Sequence, residues 1–407
     1  MLRGVIGEEM ISSERIIVAN RARQTTRFGG LDGLRAVAAL SIVVHHVGFD
    51  SGSTFRQPMM PYLGRADVGV PIFFVLSGFL LYRPFIARLL DGGTAPSSRE
   101  FWAKRLVRVF PAYWVALTLM LILGGVAVRG PVGYFFSFTL LHVYHPSRGI
   151  SGITQSWSLA TEIGFYLILP FWHRITVRLS KGRTEDQRAF VALLAIALLY
   201  ASSVLFRTLI GVTKPSFAKI TPQWFVAQSD IFGLGMVLAV GHEWSQRNPR
   251  VAQLTHGLSH RVCLWYLGAL GAFWFTATQL ELSVGIETST VSHEMIRQFF
   301  YGVIGLALVL PMAWGGGLPS RIGRLLNSTL LTFLGTISYG IYLWHQFVFI
   351  KIRKLFGWPV FDGHFWPLLA GAVVGSTVIA ALSHRFIEQP LSRLVSRRLR
   401  PVGVTDL

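Results

Sequence analysis

Ten runs of apolar residues, each close to the length of a membrane-crossing helix, limit what this chain can fold into. They fall at about 31–49, 68–88, 107–128, 157–173, 190–210, 224–242, 262–281, 297–314, 329–350 and 366–387. A tilted helix needs about 20 residues to cross about 30 Å of hydrocarbon. Lipid offers no partner to an open backbone, so every crossing segment must be helical. The chain is 52% hydrophobic and only 14% charged, against roughly 25% charge in a soluble domain. Disorder and most soluble enzymes are thereby excluded. The longest non-apolar stretches, about 15–30 residues, leave no room for an attached soluble catalytic domain. The expected fold class is all-α: a polytopic membrane helical bundle of about ten transmembrane helices.

The charge is lopsided, with 38 Lys and Arg against 19 Asp and Glu. These cations sit between apolar runs rather than on one soluble patch, so nucleic acid is not an expected partner. The positive-inside rule accounts for them better. With the N-terminus inside and the run Val132–Tyr144 not spanning, about 26 Lys and Arg fall on cytoplasmic segments and about 11 outside. Loop 174–189 and the tail with Arg393, Arg397, Arg398 and Arg400 then lie inside, and the acidic loop with Glu281, Glu287 and Glu294 outside. Lys351, Arg353 and Lys354 oppose this arrangement. Both termini are expected in the cytoplasm, with 132–144 a re-entrant or interfacial helix. The first 27 residues carry Arg15, Arg21, Arg23 and Arg27 without a long apolar core, and read as a tail rather than a signal peptide. The expected organisation is a basic tail over 1–29, a membrane domain over 30–390 and a second basic tail over 391–407. The single cysteine, Cys263, forbids an intrachain disulfide and any multi-cysteine metal site.

An ionisable residue inside a span is costly unless paired or hydrated, so each is a functional candidate. The first run holds the densest set: Asp32, Arg35, His45 and His46. Arg35 and His46 are eleven residues apart, about 20° from three full helical turns, so they share a face about 16 Å apart along the axis. Asp32 is close enough to pair with Arg35. The same residues also fit plain interface anchors and a helix end. Ser77-Gly78 in the second run allows close helix approach. Arg105 and Arg108, three residues apart on a helix beginning near Glu100, suit a phosphate or simple positive-inside anchoring. Ser158, Glu162 and Tyr166 repeat every four residues on one face, and Ser338, Tyr342 and His345 form a second stripe.

Six strings in order resemble the acyltransferase-3 family of integral membrane O-acyltransferases. They are GLDGLRAVAALSIVVHH, VGVPIFFVLSGFLL, the basic loop before PAYW at 111–114, WSLATEIGFY, ISYGIYLWHQ and RFIEQP, running from about residue 30 to 390. The resemblance implies transfer of an acyl group, often acetyl, from cytoplasmic acyl-CoA to a hydroxyl on an envelope sugar, lipid or metabolite. It places the family's arginine–ten residues–histidine pattern on Arg35 and His46, with His46 the catalytic histidine. The Arg-x-x-Arg pair falls on Arg105 and Arg108, Glu162 takes the acidic position after Trp-Ser-Leu, and His345 and Glu388 match later motifs. His45 departs from the family, which often has a bulky apolar residue there. So does the lack of the hydrolase-like domain fused to some members.

The expected catalytic residues are therefore His46, Arg35 and Glu162, with Arg105 and Arg108 on the donor. Asp32, Ser77, Trp157, Tyr342 and His345 are the expected substrate contacts. Neutral imidazole can take a hydroxyl proton near pH 7. Acyl-CoA is expected as co-substrate, with no permanently bound cofactor and no metal; the other partners are the hydroxyl-bearing acceptor and the bilayer. The expected place is the inner (plasma) membrane. Direct transfer and an acyl-enzyme both fit. The rival reading is a proton-coupled exporter using Asp32, Glu162 and the histidines as relays, though no internal transporter-like repeat is visible.

Overall fold

The computed structural model describes residues 28–398 apart from 94–95, 148, 150, 281 and 283–289. Most of both expected tails (residues 1–27 and 399–407), Glu281 and Glu287 lie outside the described residues. Among the described residues there is no strand, and ten helices have at least 17 residues. They are α1 (Leu31–Asp50), α2 (Gly69–Leu90), α3 (Ser98–Ile122), α4 (Trp157–Leu179), α5 (Glu185–Thr213), α6 (Phe225–Ser245), α7 (Val262–Thr278), α8 (Val291–Ala313), α9 (Ser338–Leu355) and α10 (Phe365–Ser383).

Each helix overlies one of the ten apolar runs, and seven of the segments are long and apolar enough to cross a membrane. The chain is a multi-pass membrane protein. Three helices fall outside that set for visible reasons. At 17 residues, α7 is short. Glu162, His173, Arg174 and Arg178 dilute α4, and His345, Lys351, Arg353 and Lys354 dilute α9. The run at 132–144 folds as a nine-residue helix, Gly130–Phe138, followed by a single 3-10 turn. At about 1.5 Å per residue it is far too short to cross.

One expectation needs correction. The apolar run 329–350 is not one helix: a short helix, Thr329–Thr336, ends at Ile337 (φ −99°, ψ 9°), where α9 starts. The break lets the short helix lie across the start of α1, so closely that a Cβ on Gly335 would sit 1.8 Å from the Asp32 carbonyl oxygen. Hydropathy is blind to this, because the break is made by backbone contact and not by polar residues.

Helix α1 runs through the interior beside α2, α9 and α10, with Ala36, Ala38, Ala39, Val43 and Val47 fully buried. Small side chains let neighbouring backbones come close. Among the ten long helices the tightest crossing is between α2 and α6. There a Cβ on Gly78 would meet the Phe232 carbonyl oxygen at 2.1 Å, and one on Gly235 the Val75 carbonyl oxygen at 2.0 Å. The packing reading of Ser77-Gly78 therefore holds for Gly78.

Two polar ties were not singled out in the sequence. Arg207 on α5 pairs with the buried Asp230 on α6 (Nη2–Oδ2 2.7 Å), and Gln298 on α8 donates to the other carboxylate oxygen (3.1 Å). At the far end of α1, Asp50 forms an ion pair with Arg353 (3.0 Å), while Lys351 donates to the Leu123 carbonyl at the end of α3. The basic cluster that weakened the charge asymmetry is thus partly consumed by internal partners.

Candidate active site

Where α1, α2, α3, α4 and α9 converge they enclose a cavity of about 380 Å³. Apolar walls from Leu31, Val70, Phe73, Phe74, Leu80 and Leu159 face a comparable share of polar and charged side chains, a more polar lining than most small-molecule sites have. Asp32, Arg35, Ser77, Arg105, Arg108, Glu162 and Tyr342, seven of the ten expected site residues, line it. The helical spacings explain why. Three- and four-residue intervals put Asp32 with Arg35 on α1, Arg105 with Arg108 on α3, and Ser158 with Glu162 and Tyr166 on α4, each set on one face.

Contacts between helices fix these side chains. Ser77 donates its hydroxyl hydrogen to Glu162 Oε1 at 2.6 Å, joining α2 to α4. Arg35 and Asp32 lie 4.0 Å apart, a loose pair. Arg108 is exposed, whereas Arg105 is half-buried beside the Phe101 ring. Tyr342 is anchored: its hydroxyl donates to the Gln155 carbonyl at 2.7 Å and lies 2.7 Å from Ser158 Oγ, which can donate to it.

Neither His46 nor His345 lines the cavity. They form a separate pair just beyond Tyr342, whose ring centroid is 6.0 Å from that of His345. His46 Nδ1 and His345 Nε2 are 2.9 Å apart, and the two rings stack. The hydrogen bonds determine which nitrogens carry protons. His345 Nδ1 faces the Ile341 carbonyl at 3.2 Å and must donate to it, leaving Nε2 as an acceptor. His46 Nδ1 then carries the hydrogen, and its Nε2 keeps a free lone pair. His45 is committed elsewhere, through Nδ1 to the Leu63 carbonyl at 3.0 Å.

Trp157 packs edge-on to Phe74 and is not a lining residue. The lining residues that went unremarked as candidates in the sequence include Phe28, Arg83, Val109 and Tyr339. Arg83 had a signal available, as a cation inside the second apolar run. Glu388, in a π-turn, contacts its neighbours His384 and Ser383. Among the described residues no cluster of His, Cys, Asp and Glu has the make-up of a metal site.

A family described as an acyltransferase domain matches residues 28–385. The chain belongs to the acyltransferase-3 family. The match covers five of the six strings on which the resemblance rested and ends at the first residue of the sixth, RFIEQP. A Bacillus subtilis protein, YrhL, named for peptidoglycan O-acetylation, is 26% identical, over 91% of this chain and 56% of its own length. Nodulation protein 10 of Rhizobium leguminosarum bv. viciae is 29% identical over 90% of this chain and 95% of its own length. Peptidoglycan O-acetyltransferase OatA of Listeria monocytogenes is 23% identical over 91% and 57%. The chain therefore spans little more than half the length of the Bacillus and Listeria relatives, and nearly all of the Rhizobium one. Family membership points away from the exporter reading.

Proposed function

We propose that the protein is a membrane O-acyltransferase that takes an acyl group from cytoplasmic acyl-CoA and places it on a hydroxyl of an envelope carbohydrate or glycolipid. The observation that carries this reading is the axial order of the site. Arginines line the cavity where α1 and α3 begin, and an oriented histidine pair lies beyond it, along α1. The names of two relatives support a carbohydrate hydroxyl as acceptor and acetyl as the group moved.

In this mechanism Arg105 and Arg108 hold donor phosphate, since guanidinium offers a planar fork to phosphate oxygens. Arg35 lies about 16 Å along the axis from His46, too far to act on the same atom, so it serves the donor arm with Glu162. The acceptor hydroxyl gives its proton to His46 Nε2 as its oxygen attacks the thioester carbonyl. The C–S bond breaks, and the departing thiolate takes the proton back. His345 holds His46 in the required tautomer. Tyr342 stands between the two regions, so the acyl end meets His46 only when that ring gives way.

Replacing Arg105 and Arg108 together with alanine tests the donor assignment. Each hydrogen bond to a charged group is worth about 1.5–3 kcal/mol, so acetyl-CoA affinity should fall at least about tenfold while acceptor affinity holds. Lysines should restore it only in part. Unchanged donor affinity would reduce the pair to topology anchors.

The same reading requires the arginine end to face the cytoplasm. A Lys181→Cys substitution in a Cys263→Ser background is expected to react with an impermeant thiol reagent only after the membrane is permeabilised. Labelling from outside intact cells would invert the arrangement.

A further inference from the structure

We infer that Asp50 and Arg353 form a sugar-binding subsite one helical turn beyond the histidine pair, holding hydroxyls of a neutral pyranoside next to the one that is acylated. This rests on the carbohydrate-acceptor reading above and gives that acceptor a place. Asp50 follows His46 by four residues, so the two share a face of α1 about 6 Å apart along the axis. On α9, His345, Phe349 and Arg353 repeat at the same interval, and the His345 and Phe349 ring centroids lie 6.3 Å apart. Helical side chains lean toward the N-terminus of their helix, so the long Arg353 side chain reaches back to Asp50. Two rungs therefore join α1 to α9: His46 to His345 at 2.9 Å, and Asp50 Oδ2 to Arg353 Nε at 3.0 Å. The second rung lies toward the end of α1 away from the cavity arginines.

The pair is mostly buried but not sealed, with 13% of the Asp50 side chain and 14% of the Arg353 side chain accessible. A buried ion pair is costly unless its remaining lone pairs and N–H groups find partners. Among the described residues the Asp50 carboxylate is engaged by Arg353 alone, and Arg353 adds one hydrogen bond, from Nη1 to the Trp358 carbonyl at 3.2 Å. A carboxylate can accept several hydrogen bonds and a guanidinium can donate several, so both groups keep capacity for a ligand. Side by side they offer an acceptor and a donor with no net charge. Asp50 repels a phosphate and Arg353 repels an ammonium group, whereas neighbouring sugar hydroxyls, which both donate and accept, suit the two together. An aromatic wall completes the match. The rings of Phe49, Phe55 and Phe361 stand edge-on to one another at 5.5–5.6 Å, with Phe55 and Phe361 exposed. The Phe361 N–H donates to the Asp50 carbonyl at 2.8 Å, which holds this wall beside the ion pair. The C–H face of a sugar ring packs on such a surface. One helical turn is within the span of a single sugar ring, so the next hydroxyl is delivered toward His46.

The test is acetyl transfer by the purified full-length protein from acetyl-CoA to two probes, chitotetraose and propan-1-ol. Propan-1-ol offers a reacting hydroxyl with no neighbours and no ring. Asp50→Asn is expected to raise KM for chitotetraose about ten- to a hundredfold, the range for a lost hydrogen bond to a charged group. Its kcat should stay within a few-fold, and turnover of propan-1-ol should not change. Phe361→Leu removes the aromatic face and should raise KM for chitotetraose alone by a few-fold. The Asp50→Leu, Arg353→Met double variant leaves no charge behind, and it carries the test if Asp50→Asn does not fold. A pair that merely ties α1 to α9 is replaced there without loss, whereas a sugar subsite leaves KM for chitotetraose raised. An equal change with both probes, or an unaltered KM in the double variant, overturns the subsite and leaves the pair a tie. If the unaltered protein acetylates chitotetraose and the variants match it, only the subsite fails. If the unaltered protein acetylates propan-1-ol alone, or neither probe, the carbohydrate reading fails with it.

Discussion

His46→Ala is expected to lower acyl transfer by about a hundred- to ten-thousandfold, the usual contribution of a positioned general base, while the purified protein still elutes as a folded species. The expectation follows from which nitrogens are occupied. His345 is tied to the Ile341 carbonyl and offers His46 an acceptor, so His46 presents Nε2 unprotonated. His45, one residue earlier, is bonded to the Leu63 carbonyl and faces elsewhere. His45→Ala should therefore be mild. His345→Ala should fall between the two, because His46 keeps its imidazole but loses the partner that fixes its tautomer. Rates of CoA release and of acceptor acylation, measured side by side, provide the check. Full activity in His46→Ala, or loss confined to His45→Ala, would move the base to another residue.

The second large effect is on stability. Asp230→Ala is expected to cost about 3–5 kcal/mol, because it strands the Arg207 guanidinium between α5 and α6 without its carboxylate. Proteins are stable by only about 5–15 kcal/mol, so the loss should appear as a large drop in the unfolding midpoint in detergent. Replacing both residues with apolar ones of similar volume should be far less harmful, since no charge is then left behind. A double variant as unstable as Asp230→Ala alone would show that Gln298 and the surrounding backbone, rather than the ion pair, account for the effect.

These two sites differ in how visible they were before folding. The all-helical, multi-pass character and the placement of the long helices were legible because about 20 apolar residues in a row can satisfy lipid in only one way. Shared faces were legible too: the fixed rotation per residue puts Asp32 beside Arg35 and Arg105 beside Arg108 with no knowledge of the partner helix. The division of 329–350 was hidden, because it depends on Gly335 meeting the backbone of α1. Pairings between helices were hidden for the same reason. Ser77 and Glu162 are 85 positions apart, His46 and His345 are 299 apart, and no local pattern links them. Arg207 and Asp230 each interrupted an apolar run, a signal that was present, but only the packed bundle shows that they answer each other.

The anchored Tyr342 has a consequence for the cell as well as for the reaction. A passage open from Arg108 through to His46 would hold a continuous thread of water, along which protons could run down the membrane potential. On the proposed reading, the phenolic ring of Tyr342, hydrogen-bonded to the Gln155 carbonyl and Ser158 at the cavity wall, would interrupt such a thread before the histidines. If the acyl group is moved between two compartments as proposed, a ring held in this way would let the protein join them chemically without short-circuiting the energised membrane.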